Sequence, residues 1–144
     1  MDEDRYACLR LENQLCFPLY ACAKEVVRRY RPILDELDIT YTQYIVMMAL
    51  WEHRDMSVKE IGDLLYLDSG TLTPLLKKLE EKGYIVRSRS GRDERVLTVS
   101  VTDRGMELRE RALSVPGRIA SCIPLERRDA EDLARILGKM MASF

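Results

Sequence analysis

Apolar positions recur along this chain in two periods, and the switches between them divide it into elements. From Asn13 to about Tyr30, Leu15, Leu19, Cys22 and Val26 fall on one helical face. Cys16, Tyr20, Ala23, Val27 and Tyr30 fall on the adjoining one. Pro18 disturbs this helix: either it opens near Phe17, with Pro18 in the tolerated first position, or it kinks just past Cys16. Both arrangements set Cys16 beside backbone N–H groups with weakened internal pairing, which favours an anion, a thiolate included. Residues 1–12 read as a loose arm, and Arg31-Pro32 is expected to break the helix before a turn through Leu34 and Leu37. Thr40 and Gln43 then form a capping box opening a helix to Trp51. Its run from Ile45 to Leu50 leaves no polar face, so it is expected in the middle of the domain. Ser57 and Glu60 form a second box, starting a short helix with Val58, Ile61, Leu64 and Leu65 inward.

The stretch from Leu67 to Val101 carries the clearest functional signal. Asp68 is a good helix N-cap, Leu72, Leu75, Leu76 and Leu79 follow at helical spacing, and Gly83 supplies a helix end. The opposite face presents Ser69, Thr71, Thr73, Lys77 and Lys78, small donors and long cations of the kind that sit between phosphate backbones and touch base edges. Tyr84 to Ser88 and Val96 to Val101 alternate as paired strands do, and between them lies SRSGRDER. Arg87, Arg89, Arg92 and Arg95 surround that turn, a charge suited to a minor groove. Two short helices with a tight junction followed by a basic hairpin predict a winged helix-turn-helix, mainly α with a small β-wing. Its DNA-contacting residues are expected among the Asp68–Lys78 helix and the wing arginines, Arg87 and Arg95 included.

Beyond the wing, Thr102 is expected to cap a helix checked at Pro116. Gly117 and Pro124 bracket a less regular stretch holding Cys122. A last helix from about Glu126 carries Leu133, Ile136, Leu137, Met140, Met141 and Phe144 as one wide stripe. Such a stripe needs cover, and a reader with one DNA helix gains by pairing. The chain is therefore expected to form a homodimer through its N- and C-terminal helices. In this reading residues 1–144 form one domain, with about 13–52 and 102–144 as the helical dimerisation part and about 53–101 as the winged-helix part.

Composition changes this picture little. Charged residues are 33% and hydrophobic ones 47%, a folded and mostly helical profile. The net charge of −1 leaves the positive charge local to the wing, as in a specific binder rather than a coating protein. The opening MDEDRYACLRLENQ has no signal-peptide core, and no run reaches membrane-spanning length, so a cytoplasmic protein with reduced thiols is expected. Cys8, Cys16, Cys22 and Cys122 form no C-x-x-C pair and His53 is the lone histidine, so neither a metal nor a cofactor is expected.

The order of helices, the helix LDSGTLTPLLKKLEEKGYI and the wing DERVLTVSVT resemble the multiple-antibiotic-resistance regulator (MarR) family over nearly the whole chain. LENQLCFPLY and ITYTQYIVMMALWE, with Tyr30 and Tyr41, resemble its organic hydroperoxide resistance repressors. The resemblance implies a dimeric repressor on a pseudo-palindromic operator, with Cys16 as peroxide sensor. It implies that Tyr20, Tyr30 and Tyr41 hold the thiolate, some of them from the partner subunit, and that Asp93 and Arg95 are the wing's D-x-R pair. Some such repressors have a resolving cysteine far along the chain, in the region where Cys122 lies. Pro18 departs from the pattern, which usually has an aliphatic or small residue there.

The chemistry is coherent without the resemblance. A phenol O–H stabilises a thiolate, a thiolate attacks peroxide, and the product is a sulfenic acid. Phe17, Leu19 and Ile45 nearby would favour an organic hydroperoxide. Two other readings stay open at this stage. One is a sister repressor released by a small phenolic or lipophilic ligand, with Cys16 irrelevant; the other is a thiol peroxidase using Cys16 catalytically.

Overall fold

Two prolines shape the N-terminal part of the computed structural model, which describes residues 5–89 and 95–144. Helix α1 spans Cys16–Asp35. Pro18 is its third residue, where the backbone N–H has no intrahelical partner to lose, so the start near Phe17 holds to within one residue. The described part of the segment expected to be a loose arm instead forms two 3-10 turns, Ala7–Leu9 and Leu11–Asn13. They are tied by Asn13 Nδ2 donating to the Ala7 carbonyl (2.7 Å) and Gln14 Nε2 to that of Cys8 (2.7 Å). Pro32 does not break α1; it lies inside it. The next two residues, Ile33 and Leu34, are buried in the core. Burial of about 1.5–3 kcal/mol for each such side chain outweighs one missing bond near a helix end.

Thr40 opens α2 (Tyr41–His53) through the anticipated capping box. Its Oγ1 accepts the Gln43 N–H (3.3 Å) while Gln43 Oε1 accepts the Thr40 N–H (3.0 Å). Val46, Met47 and Leu50 are wholly buried, as the apolar run requires, although Met48 turns outward. Ser57 and Glu60 make the second box at the head of α3 (Val58–Leu65). Ile61 faces inward there, but Leu64 does not: an eight-residue helix has room for only a narrow buried stripe, and Leu64 falls outside it. Tyr66 takes a left-handed conformation (φ 56°) at the corner, and α4 follows over Ser69–Glu81.

Gly83 (φ 83°) turns the chain out of α4 into β2 (Ile85–Arg89), which returns as β3 (Leu97–Val101). A third strand, β1 (Asp55–Ser57), joins them, giving an antiparallel sheet of order β1-β3-β2 in which Val99 stands opposite both Met56 and Arg87. Thr102 then caps α5 (Asp103–Ala112), its Oγ1 accepting the Gly105 N–H (3.0 Å) and donating to the Gly83 carbonyl (2.6 Å). That helix stops at Ala112, before Pro116, which sits in the first turn of α6 (Val115–Cys122). Cys122 is therefore the last residue of a regular helix rather than part of an irregular stretch; a proline at a helix start costs no hydrogen bond. Helix α7 spans Arg127–Met141.

The buried apolar side chains run from Ile33 to Ile119. They belong to the end of α1, to α2 through α6 and to the sheet, and α7 buries none.

Candidate nucleic-acid interface and thiol region

Helix α4 is set by its ends and its apolar stripe. The Asp68 carboxylate accepts the Thr71 N–H (2.7 Å), and its hydrogen bonds to Thr71 hold it below the usual carboxylate range. Leu72, Leu75, Leu76 and Leu79 are buried, which turns Ser69, Thr71, Thr73, Lys77 and Lys78 together to solvent. Thr73 donates its hydroxyl to the Ser69 carbonyl (2.8 Å), leaving its oxygen able to accept. Lys77 and Lys78 form no ion pair with the described carboxylates. The expected polar row thus exists as one surface, with Asp68 as its cap.

The wing residues divide. Arg95 is exposed two residues before β3. Asp93, expected to pair with it in the D-x-R pattern, lies outside the described residues. Arg87, expected to face DNA, is drawn against α4 instead. Its backbone N–H donates to Glu80 Oε2 (2.8 Å) and its Nη2 to Glu80 Oε1 (3.2 Å). The Arg87 side chain keeps only 23% of its exposure, and its hydrogen bonds hold the Glu80 carboxyl below its ordinary range. Glu80 is the residue that sequence reasoning passed over. It stands seven positions from Arg87, and only the return of the chain through Gly83 brings the two together.

Cys16 is the first residue of α1 and exposed, at a helix start with no side-chain cap. Tyr20, one turn on, is also exposed, with Lys24 Nζ 5.2 Å above its ring. Tyr30 and Tyr41 pack together with ring centroids 4.8 Å apart, and Tyr44 and Trp51 extend the cluster. Burial, followed by the neighbouring Tyr41 and Tyr44 phenols, raises the pKa of Tyr30, so its hydroxyl is kept as a donor. Fourteen helical residues separate Cys16 from Tyr30, roughly 21 Å at helical rise. One chain therefore joins Tyr30 to Tyr41 but does not bring Tyr30 to Cys16.

Cys122 lines a cavity of about 590 Å³ with Arg28, Arg29, Ile33 and Arg118. Arg118 grips Glu36 in a two-point ion pair (2.5 and 3.0 Å), and Arg111 donates to the Glu36 carbonyl (3.0 Å). The Arg118 guanidinium holds the Glu36 carboxyl below its usual range. The stretch of α1 that lines this cavity begins at Glu25, nine residues after Cys16 and roughly 13.5 Å along the helix. A disulfide requires Cα atoms within about 7 Å, so the two cysteines of one chain cannot pair in this conformation. On the other side of α1, Leu15, Leu19, Val26 and Tyr41 line an apolar groove of about 610 Å³ with Leu133 and Leu137 of α7. Among the described residues, no three His, Cys, Asp or Glu side chains converge as a metal site, and no helix is long and apolar enough to cross a membrane.

Residues 28–112 match the family of transcriptional regulators described as SarA/Rot. The organic hydroperoxide resistance transcriptional regulator of Bacillus subtilis is 47% identical over 134 residues, covering 93% of this chain and 89% of its own length. Among solved structures, reduced AbfR bound to DNA, a Staphylococcus epidermidis protein, is 34% identical and superposes with a TM-score of 0.80 over 99% of this chain and 96% of its own. The disulfide form of AbfR, 35% identical over 98% of this chain and 99% of its own, gives 0.65. The fold described above is thus nearer to the reduced, DNA-bound arrangement than to the disulfide one. By these matches the chain belongs to the MarR family of winged helix-turn-helix transcriptional regulators, in the branch of the organic hydroperoxide resistance regulators.

Proposed function

We propose that this protein is a transcriptional repressor that holds a pseudo-palindromic operator as a homodimer and lets go when an organic hydroperoxide oxidises Cys16. The observation that carries the reading is the outward row of α4, from Ser69 through Thr71 and Thr73 to Lys77 and Lys78, set beside an arginine-bearing wing. Hydroxyls and cations on an exposed helix flanked by a basic hairpin match the donors that duplex DNA accepts. Lys77 and Lys78 serve phosphates; Ser69, Thr71 and Thr73 face base edges; Arg95 and Asp93 serve at the wing. Residues of about 53–101 form the reading part, and about 13–52 and 102–144 the pairing part. The protein acts in the cytoplasm as a regulator, with no catalytic turnover of its own.

The thiol chemistry follows from the same arrangement. The Cys16 thiolate attacks the outer peroxide oxygen, the O–O bond breaks, and the products are a sulfenic acid and an alcohol. Tyr20 comes from the same chain, while Tyr30, roughly 21 Å along α1 from Cys16 in one chain, and Tyr41 packed on it come from the partner across the α1–α7 faces. Cys122 of the partner then condenses with the sulfenic acid, giving a disulfide and water. An intersubunit bond is the form that the separation within one chain allows. Such a bond strains the dimer and moves the two α4 helices out of register.

The test is direct. A duplex enriched from a random pool by the reduced protein is bound before and after cumene hydroperoxide treatment. Wild type is released; Cys16→Ser stays bound. A covalent dimer forms in wild type and vanishes in both Cys16→Ser and Cys122→Ser. Release of Cys16→Ser by the peroxide would sink the sensing role, and failure of the reduced protein to enrich any duplex would sink the DNA reading itself.

A further inference from the structure

The wing has to be held at a set angle to α4, because the two elements address neighbouring grooves of one duplex. Backbone bonds hold the junction itself, Gly83 N–H to the Glu80 carbonyl (2.9 Å) and Tyr84 N–H to that of Leu79 (3.1 Å), but they stop short of the middle of β2. Strand β2 is one of the two edge strands of the sheet and is joined to α4 by a short turn around Gly83. Its far edge presents N–H groups that β3 does not take. Glu80, in the last turn of α4, reaches across to the middle of β2 and accepts from Arg87 twice, once from the backbone (2.8 Å) and once from the guanidinium (3.2 Å). The Arg87 Nε is buried, so this side chain is not extended toward solvent.

We infer that Glu80 and Arg87 are positioning residues that clamp the wing to α4, and that Arg87 acts on DNA through this clamp rather than by touching a phosphate. The inference rests on the DNA-binding reading above. A carboxylate on the reading helix is otherwise a liability, since it repels the phosphate backbone. The clamp explains its presence, because two hydrogen bonds to one residue fix both a distance and a direction. A swing of about 15° about Arg87 moves a group about 10 Å away by roughly 2.6 Å, enough to take a hydrogen bond out of range. Specific contacts made by helix and wing together are lost to such a swing, whereas contacts with phosphates in general survive it.

The experiment compares Glu80→Gln, Arg87→Gln and the double variant on two probes: a duplex enriched from a random pool by wild type, and a random duplex of the same length. Binding is measured across salt concentrations, with circular dichroism and the unfolding midpoint recorded for each variant. Removing the Glu80 charge by electrostatics alone would raise affinity for both probes. The clamp predicts the opposite on the enriched duplex: a loss of about three- to tenfold in Glu80→Gln and Arg87→Gln, with the double variant no worse than either. It also predicts an undiminished affinity for the random duplex and an unchanged salt slope. Should Arg87→Gln fail to fold, Glu80→Gln carries the test, because its glutamine still accepts the Arg87 backbone N–H. The inference is overturned if Glu80→Gln binds the enriched duplex as tightly as wild type or more tightly. It is equally overturned if Arg87→Gln lowers the salt slope by about one, the mark of a lost phosphate contact. If wild type enriches no duplex, the DNA-binding reading fails instead, an outcome distinct from both.

Discussion

The winged part and the terminal helices are built from similar amounts of apolar sequence yet use it differently. In the winged part the leucines of α4, Ile61 of α3, and Ile85 and Val99 of the sheet are all buried by one another and by α2. In α7 the stripe from Leu133 to Met141 buries no residue, and Phe144 beyond it is 83% exposed. The start of α1 is alike, with Leu15 and Phe17 facing solvent. A monomer rarely leaves apolar stripes of this extent open; they mark an interaction surface. The contrast teaches that one region is satisfied within the chain and the other only by a second chain, and that the proposed sensor follows the second pattern. Cys16 and the Tyr30–Tyr41 pair lie on the unsatisfied helices or beside them, too far apart to meet within one copy.

Three measurements test whether the two regions differ in this way. The largest effect is expected from charging the α7 stripe. Leu133→Glu combined with Ile136→Glu should convert the dimer to a monomer in sedimentation. It should weaken binding to the enriched duplex by about 100-fold, since a monomer holds only half of a two-fold site. Circular dichroism should stay near that of wild type, because neither side chain supports the core. A collapse of helical signal would mean that α7 is part of one common core after all.

The second effect lies where α5 packs against the winged part. A Cβ at Gly105 would overlap the Tyr84 carbonyl oxygen and come within 2.7 Å of Val101 Cγ2, whereas one at Gly117 meets nothing within 4 Å. Gly105→Ala should therefore cost about 3 kcal/mol in urea unfolding, at the upper end of overpacking effects. Gly117→Ala, inside α6, should stabilise by about 0.5–1 kcal/mol. Equal effects at the two sites would show that the sheet and α5 yield more easily than their packing suggests.

The smallest effect concerns an ion pair inside the pairing part, Glu36 at the end of α1 with Arg118 of α6. The Glu36 carboxyl is held below its ordinary 4.5 by Arg118, so the folded state binds the proton less readily than the unfolded one. Its contribution to stability is complete above about pH 4.5 and is lost as pH falls through the lower folded value. Both partners are substantially exposed, so solvent screening keeps the effect small. Unfolding midpoints between pH 3 and 6 should fall less steeply for Glu36→Gln than for wild type. Parallel profiles would mean the pair contributes nothing measurable.

Local signals were legible wherever the physics is local. The capping boxes at Thr40 and Ser57, the Asp68 cap and the Gly83 helix end each depend on groups within a few residues of one another, and each stands where the pattern put it. The outward row of α4 follows from the same periodicity that buries its leucines. The prolines misled for a related reason. Pro32 is a helix breaker by its own chemistry, but burial of Ile33 and Leu34 by distant residues decides the outcome. Pro116 opens α6 rather than ending the helix before it, since sequence alone does not say on which side of a boundary a proline falls.

The sequence by itself determined the order of elements, the character of each face and the grouping of charge at the wing. These properties reside in spacing and side-chain chemistry, which do not depend on what a face meets. Tertiary structure alone decided three things: that Asp55–Ser57 joins the hairpin as a third strand, that Arg87 spends its guanidinium on Glu80, and that α1 runs unbroken through Pro32. A three-residue strand has no periodicity of its own and exists only through its partner. The Arg87 pairing depends on the angle at which β2 leaves α4. The passage of α1 through Pro32 depends on distant residues that bury Ile33 and Leu34 at its far end.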